Sequence, residues 1–412
     1  MSAERRRAFG RQVAELRRQR SLTQSELAAV IGRTASWVSQ VERGIQPVNR
    51  FDVLRLLADG LGVPLHILQP DVPPIPDADS VDETSPNDLD QARLLISGHA
   101  ALDVLLEPRE DARPALVPEL RGEVERIWEL THAGRFAALS AALGPLVPRL
   151  ERASRTTLAV QRSEAHRLLA RTYQALAAAF VRQNEGDAAW VAADRAIREA
   201  ELAGDPLGVF VGVFRLVHAF VRLQHLDQAE HAAATAINVL ARHAEADTTP
   251  VEELSVVGSL HLALALVHAR AGERAAARQQ IDKARAVAAR IGTERNDFNL
   301  EFGPTNVEVQ AVSTAVDLGD AGEALDIAQG LDARELSAER RSRLLMDLGR
   351  AHAQRRQFGD ALECLLRAEE IAPDLIRGHA AARGVIRELM LMAGRGASPE
   401  LRGLAERADA MA

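Results

Sequence analysis

The stretch RNDFNLEFGPTNVEVQ, residues 295–310, gathers three asparagines, two phenylalanines and a Gly-Pro break in a chain otherwise rich in alanine and arginine. An asparagine side chain offers one donor and one acceptor, the pair that an extended peptide backbone also offers. Asn299 and Asn306 are therefore candidate ligand-binding residues, with Phe302 and Thr305 beside them. The same residues also read as a polar turn in which proline starts a helix and Thr305 caps it. Arg215 and His218 lie on an earlier helical segment whose inner face can add to that site. His261 and His268 stand two helical turns apart, too far to share one metal ion, and read as packing or surface residues.

Motifs for catalysis do not appear in the sequence. The only lysine, Lys283, sits in QQIDKARA without a glycine loop that could cradle phosphate, and neither HExxH nor GxSxG occurs. Cys364 is the single cysteine, which excludes an intramolecular disulfide and a multi-cysteine zinc site; within its helical pattern it reads as a packing residue. These residues point to a binding protein with no cofactor rather than an enzyme.

The elements that must position any binding residue are helices. Hydrophobic residues make up 47% of the 412 residues but aromatics only 3%, so the core must be built from Ala, Leu and Val, a composition suited to closely packed helices. No uninterrupted apolar run reaches the ~18 residues of a membrane span, and the basic start lacks the apolar run of a signal peptide. A cytoplasmic protein is expected. The net charge of −8 hides an asymmetry: residues 1–69 hold eleven arginines against six acids, and residues 70–90 hold seven acids and no base.

Within residues 1–69 the apolar spacing predicts five helices, near 4–19, 24–31, 35–43, 50–59 and 64–69. Thr23 and Glu26 form a capping box for the second, and Thr34 caps the third. Two short helices around a glycine-containing turn have helix-turn-helix geometry. The run LTQSELAAVIGRTASWVSQVERG resembles the phage-repressor and Cro-like (XRE) DNA-binding domain, a lambda-repressor-like fold, over about 65 residues. That resemblance implies a phosphate contact for Gln24 and a base-reading face holding Ala35, Ser36 and Gln40. The Gln40 amide can bond both N6 and N7 of adenine. It further implies DNA contacts from Thr34, Trp37, Arg43 and Arg50, and a structural salt bridge between Arg17 and Glu42.

Residues 70–90, with five prolines and seven acids, read as a linker. From residue 91 to 412 the pattern is helix after helix. Aligned on Ala361, residues Leu345, Leu348, Gly349, His352, Leu365, Ala368 and Pro373 occupy signature positions of a tetratricopeptide repeat, with His352 in place of the usual tyrosine. The same template places Ala189, Ala229, Ala277 and Ala324 in equivalent positions at irregular spacing. The domain order resembles actinobacterial XRE regulators with tetratricopeptide repeats and, more distantly, the RRNPP peptide-sensing regulators.

The expectation is an all-α chain with a DNA-binding domain (1–69), an acidic linker (70–90) and a tetratricopeptide-like solenoid (91–412). The solenoid would sense a peptide or small-molecule effector and hold a homodimer on a double-stranded DNA operator. The alternative is an adaptor that binds protein partners through the repeats and uses the helix-turn-helix as one more interaction surface.

Overall fold

The computed structural model describes residues 3–20, 22–31, 35–45, 57–58, 60–61, 63, 68, 87–99, 102, 116–155, 158–243, 249–334 and 336–411. They contain nineteen α-helices and no strand beyond one isolated bridge, Arg295 to Phe302. The chain divides into two compact units, residues 1–83 and 84–412.

In the first unit, helices α1 (Ala3–Gln19), α2 (Gln24–Val30) and α3 (Ala35–Glu42) enclose a core of Val13, Leu27, Ile31, Val38 and Val41, which Leu57, Leu61 and Leu68 complete. Thr23 and Glu26 make the reciprocal bonds of a capping box: the Glu26 amide donates to Thr23 Oγ1 at 3.2 Å, and the Thr23 amide donates to Glu26 Oε2 at 2.7 Å. Most of the segments expected as the fourth and fifth helices, and the linker up to residue 86, lie outside the described residues. The other end of that linker is shorter than the sequence suggests. Asn87 bonds the Gly134 carbonyl and the Ala137 amide, Leu89 is fully buried, and α4 (Asp90–Ile96) has begun by residue 90.

The second unit is a stack of helical hairpins, each packing on the next. The hairpins pair α5 (Leu116–His132) with α6 (Phe136–Ala153), α7 (Ala159–Arg182) with α8 (Gly186–Ala203), and α9 (Pro206–Arg222) with α10 (Leu226–His243). They continue with α11 (Val251–Arg270) and α12 (Arg274–Ile291), α13 (Pro304–Asp317) and α14 (Ala321–Gln329), and α15 (Ala338–Gln354) and α16 (Phe358–Ile371). Short α17 (Pro373–Gly378), α18 (Ala380–Ala393) and α19 (Pro399–Arg407) close the stack. First helices pack on first helices along the series α5, α7, α9, α11, α13, α15, α18. Ala189, Ala229, Ala277, Ala324 and Ala361 are each fully buried, each in the second helix of its hairpin, where a small side chain lets the paired helices approach. By length and composition α11 could cross a membrane, but most of it is buried among its neighbours.

Six hairpins turn in the same way. At Gly134, Asn184, Gln224, Gly272, Gly319 and Arg356 the backbone has positive φ, and the following amide bonds back to a carbonyl five residues earlier, as from Gln357 to His352 at 2.9 Å. Three of these positions lack the glycine that marks such a turn in sequence. Arg356 is exposed, with φ of 60°. Arg356→Gly is expected to stabilise the unit by about 0.5–1 kcal/mol, because only glycine adopts that region without penalty. A urea unfolding midpoint that stays put or falls would contradict this reading of the turn.

Candidate functional sites

The outer face of α3 is built by its inner one. Val38 and Val41, one turn apart, are buried, so the opposite side of the helix carries Gln40, half-buried, and Arg43, exposed. Ala35 and Trp37 flank this face, with Trp37 partly packed on the core. Thr34, Arg50 and the Ser36 side chain lie outside the described residues. Arg43 Nε bonds the Ser39 carbonyl at 3.2 Å, which holds its base against the helix.

Two features fix the angle of α3. A Cβ on Gly10 would overlap the carbonyl oxygens of Val41 and Glu42, so α1 and α3 meet there backbone to backbone. Glu42 at the end of α3 then receives Arg17 Nε at 2.6 Å and Nη2 at 3.0 Å, while Arg17 Nη1 reaches the Leu22 carbonyl at 2.7 Å. Burial opposes the Glu42 charge, but Arg17 and Gln24 outweigh it and hold the carboxyl below its usual pKa. Gln24 Nε2 donates to Glu42 Oε2 at 2.7 Å, so its amide nitrogen is engaged within the fold, where the sequence suggested a phosphate contact. Gly10 gave no signal in the sequence, since a glycine in a helix becomes informative only when its neighbour is known.

In the second unit the first helices of successive hairpins surround a cavity of ≈ 130 Å³. It is closed across the stack: Glu339 on α15 accepts from Arg182 Nε and Nη2 on α7 at 2.9 and 2.6 Å, and meets His132 Nδ1 of α5 at 3.3 Å. Glu339 is 3% exposed. Burial alone would raise its pKa, but Arg182, His132, Arg340 and Arg343 hold it well below the usual carboxylate range.

Of the residues expected to bind a ligand, the fold brings Arg215, His218 and Asn306 to this cavity. Arg215 lies over the Trp128 and Phe214 rings, 5.2 and 5.1 Å from their centroids, and donates to the Asn299 carbonyl at 3.0 Å. His218 packs edge-on against Phe214, and burial with the positive charge of Arg215 pushes its pKa down to about 3. Asn306 is 2% exposed, and its Oδ1 has no hydrogen-bond partner.

The other three residues do not line the cavity. Asn299 Oδ1 meets His132 Nε2 at 3.3 Å. Phe302 is fully buried over Gly258, where a Cβ would overlap its ring, so it is a core residue rather than a ligand contact. Thr305 is inside α13, its amide bonded to Glu294 Oε1 at 2.6 Å, and Gly303 takes the cap position assigned to it. The segment is thus a structured turn, as its alternative reading held, but one serving the cavity. Phe298, Asn299 and Glu301 all have positive φ, and the bend delivers the Asn299 and Leu300 carbonyls to Arg215 and Arg340. His261 pairs with Gln280 at 2.8 Å and His268 with Glu273 at 2.7 Å, as packing residues do.

Sequence reasoning missed most of the cavity wall. Arg222, Arg270, Arg343, Arg350 and Glu339 all face it. Their signal is polar residues seven apart on the first helices, such as Arg215 with Arg222 and Arg343 with Arg350.

Comparison with known proteins bears on the first unit. Residues 8–68 match the family model of a helix-turn-helix domain. The chain carries such a domain at its N-terminal end, followed by a helical solenoid. No curated protein sequence matches the chain. Among solved structures it is similar to Bacillus thuringiensis PlcR, solved with the peptide PapR7 and DNA, at 14% identity and a TM-score of 0.31 over 89% of this chain and 99% of that one. A superposition that loose equates no residue of one chain with a residue of the other.

Proposed function

We propose that the chain is a cytoplasmic, sequence-specific DNA-binding transcription regulator, whose helical unit senses an effector in its cavity and holds a homodimer on the operator. The observation that carries this reading is the helix-turn-helix match together with an α3 whose outer face presents Gln40 and Arg43 while Val38 and Val41 anchor the inner one. The arginine excess of residues 1–69 supports it, since phosphate neutralisation supplies most non-specific affinity. In this reading Ala35, Ser36 and Gln40 form the base-reading face, Trp37 packs on the sugar-phosphate edge, Arg50 reaches the backbone or the minor groove, and Thr34 and Arg43 add further DNA contacts. One such helix reads a short half-site, so two copies spaced by about 34 Å would be needed to specify an operator.

Gln40→Ala is expected to weaken operator binding by ~1–3 kcal/mol and to spare binding to random duplex, because only the bidentate base contact is lost. The check is fluorescence anisotropy of the full chain on both duplexes at one salt concentration. Equal losses on both would remove Gln40 from base reading.

A further inference from the structure

Seven arginines line the cavity of the helical unit, and the acids around it answer only four. Arg182 is matched by Glu339, and Arg340 by Glu301 at 2.7 Å. Arg350 bonds Asp317 at 2.6 Å and Asp347 at 2.8 Å, and Arg270 shares Asp317 at 3.1 Å. Three remain. Among the described residues no carboxylate lies within ion-pair distance of Arg215 or Arg222, and Arg343 reaches only Glu339, at 3.8 Å, which Arg182 already engages.

Beside these cations stand polar atoms that the fold leaves unanswered. Arg215 Nε, Arg182 Nη1, Ser259 Oγ, Asn306 Oδ1 and Asp317 Oδ2 are buried without a hydrogen-bond partner, and all five residues line the cavity; the Asp317 oxygen is answered by the charge of Arg270, 3.1 Å away. Three of these atoms can donate, which is what an anion requires. Buried polar atoms are normally paired, so three free donors in one place mark a site completed by something else. His218 and His379 face the same space. Burial and the neighbouring arginines push both imidazoles down to about 3, so they stand neutral there at physiological pH; His379 Nδ1 accepts the Ala382 amide at 3.3 Å, which leaves its Nε2 as a donor. Burial also lowers Arg215 to about 9 and Arg222 to about 10, still charged at neutral pH but short of compensating charge.

We propose that this cavity is the binding site of a small, multiply charged anion, a phosphate-bearing or polycarboxylate metabolite, held by Arg215, Arg222 and Arg343 with the free donors Ser259 Oγ and Arg182 Nη1 completing its hydrogen bonds. The size fits. At ≈ 130 Å³ the cavity has room for on the order of ten waters, below the ~300–1,000 Å³ of sites for drug-sized ligands, and therefore suits a compact anion better than a peptide. The site deepens the sensor role given to the helical unit and rests on that role only for its regulatory meaning.

The test titrates the full chain with pyrophosphate, citrate, glycerol and hexaglutamate by calorimetry at about 0.15 M salt, where exposed charges are screened. Pyrophosphate or citrate is expected to bind and to raise the melting temperature; the better of the two identifies the anion as phosphate-like or carboxylate-like. Arg222→Gln and Arg343→Gln are each expected to weaken that binding about tenfold, the loss of one charge-assisted hydrogen bond. Without ligand, Arg222→Gln is expected to melt no lower than the parent, since it removes a charge that lacks a partner. If one variant fails to fold, the other carries the test.

Absence of binding by both anions, equal binding to parent and variants, or binding of hexaglutamate alone overturns the proposal. DNA affinity measured with and without the bound anion separates this proposal from the regulator reading. An anion that binds through these arginines yet leaves DNA affinity unchanged keeps the site and contradicts the sensor role.

Discussion

Glu42→Ala is expected to destabilise the N-terminal unit strongly and to weaken DNA binding while residues 84–412 keep their helical signal. The carboxylate joins three elements, taking two bonds from Arg17 on α1 and one from Gln24 at the start of α2, and it ends α3 itself. Removing one partner of a fully buried pair costs about 3–5 kcal/mol, an upper bound here because Arg17 and Glu42 are part-buried, with side chains 11% and 7% exposed. A unit of this size has a total stability of only about 3–10 kcal/mol at typical values per residue. Circular dichroism melting should show the N-terminal component at a lower temperature, with the transition of the helical unit unmoved. Glu42→Gln, which keeps the shape and one acceptor oxygen, should retain part of the stability. An alanine variant that binds DNA as the parent does would show that the Arg17 clasp does not hold α3 in place.

Glu339→Ala should have the second-largest effect, in the other unit. Its carboxylate is the point at which α5, α7 and α15 meet across the stack, and removing it leaves Arg182 without a counter-charge in a cavity already rich in arginine. A loss of about 3–5 kcal/mol is expected, seen as a lower urea midpoint for residues 84–412. The same pair sets an acid limit. Because the folded-state pKa of Glu339 lies below its unfolded value of about 4.3, its contribution is fully present above that pH and is lost as pH falls further through the folded pKa. Stability of the parent should therefore decline below about pH 4, and the variant should show a shallower decline there. A variant with the parent's midpoint would mean that the closure across the stack adds nothing.

The contrast between these two carboxylates shows what the sequence could tell. Glu42 lies in a motif whose spacing makes it legible: the capping box at Thr23, the buried Val38 and Val41 and the Arg17 partner all sit within one short, regular domain. Glu339 has no such local signal. Its partner His132 is 207 residues away, and only the curvature of the stack brings them together. Asn306 could be singled out because it stands in a turn of unusual composition, and Arg215 and His218 because they share the inner face of one first helix. Arg222 and Arg343 carry only the seven-residue spacing to Arg215 and Arg350, a signal that gains meaning once the inner face of the stack is known. Phe302 was misleading for a related reason: an aromatic in a polar segment marks a binding surface or a plug, and the bare Gly258 beneath it makes it a plug. The hairpin alanines were legible because close helix pairing demands small residues wherever it occurs.

The central claim, that α3 reads DNA sequence, is tested most directly by selecting binding sites for the full chain from a random duplex pool and sequencing the bound fraction. Enrichment of one short motif, recurring at a spacing near one helical turn and lost with Gln40→Ala, is the predicted result. A bound fraction as random as the starting pool, or no retained DNA at all, would contradict it and leave the helix-turn-helix as a surface for protein partners.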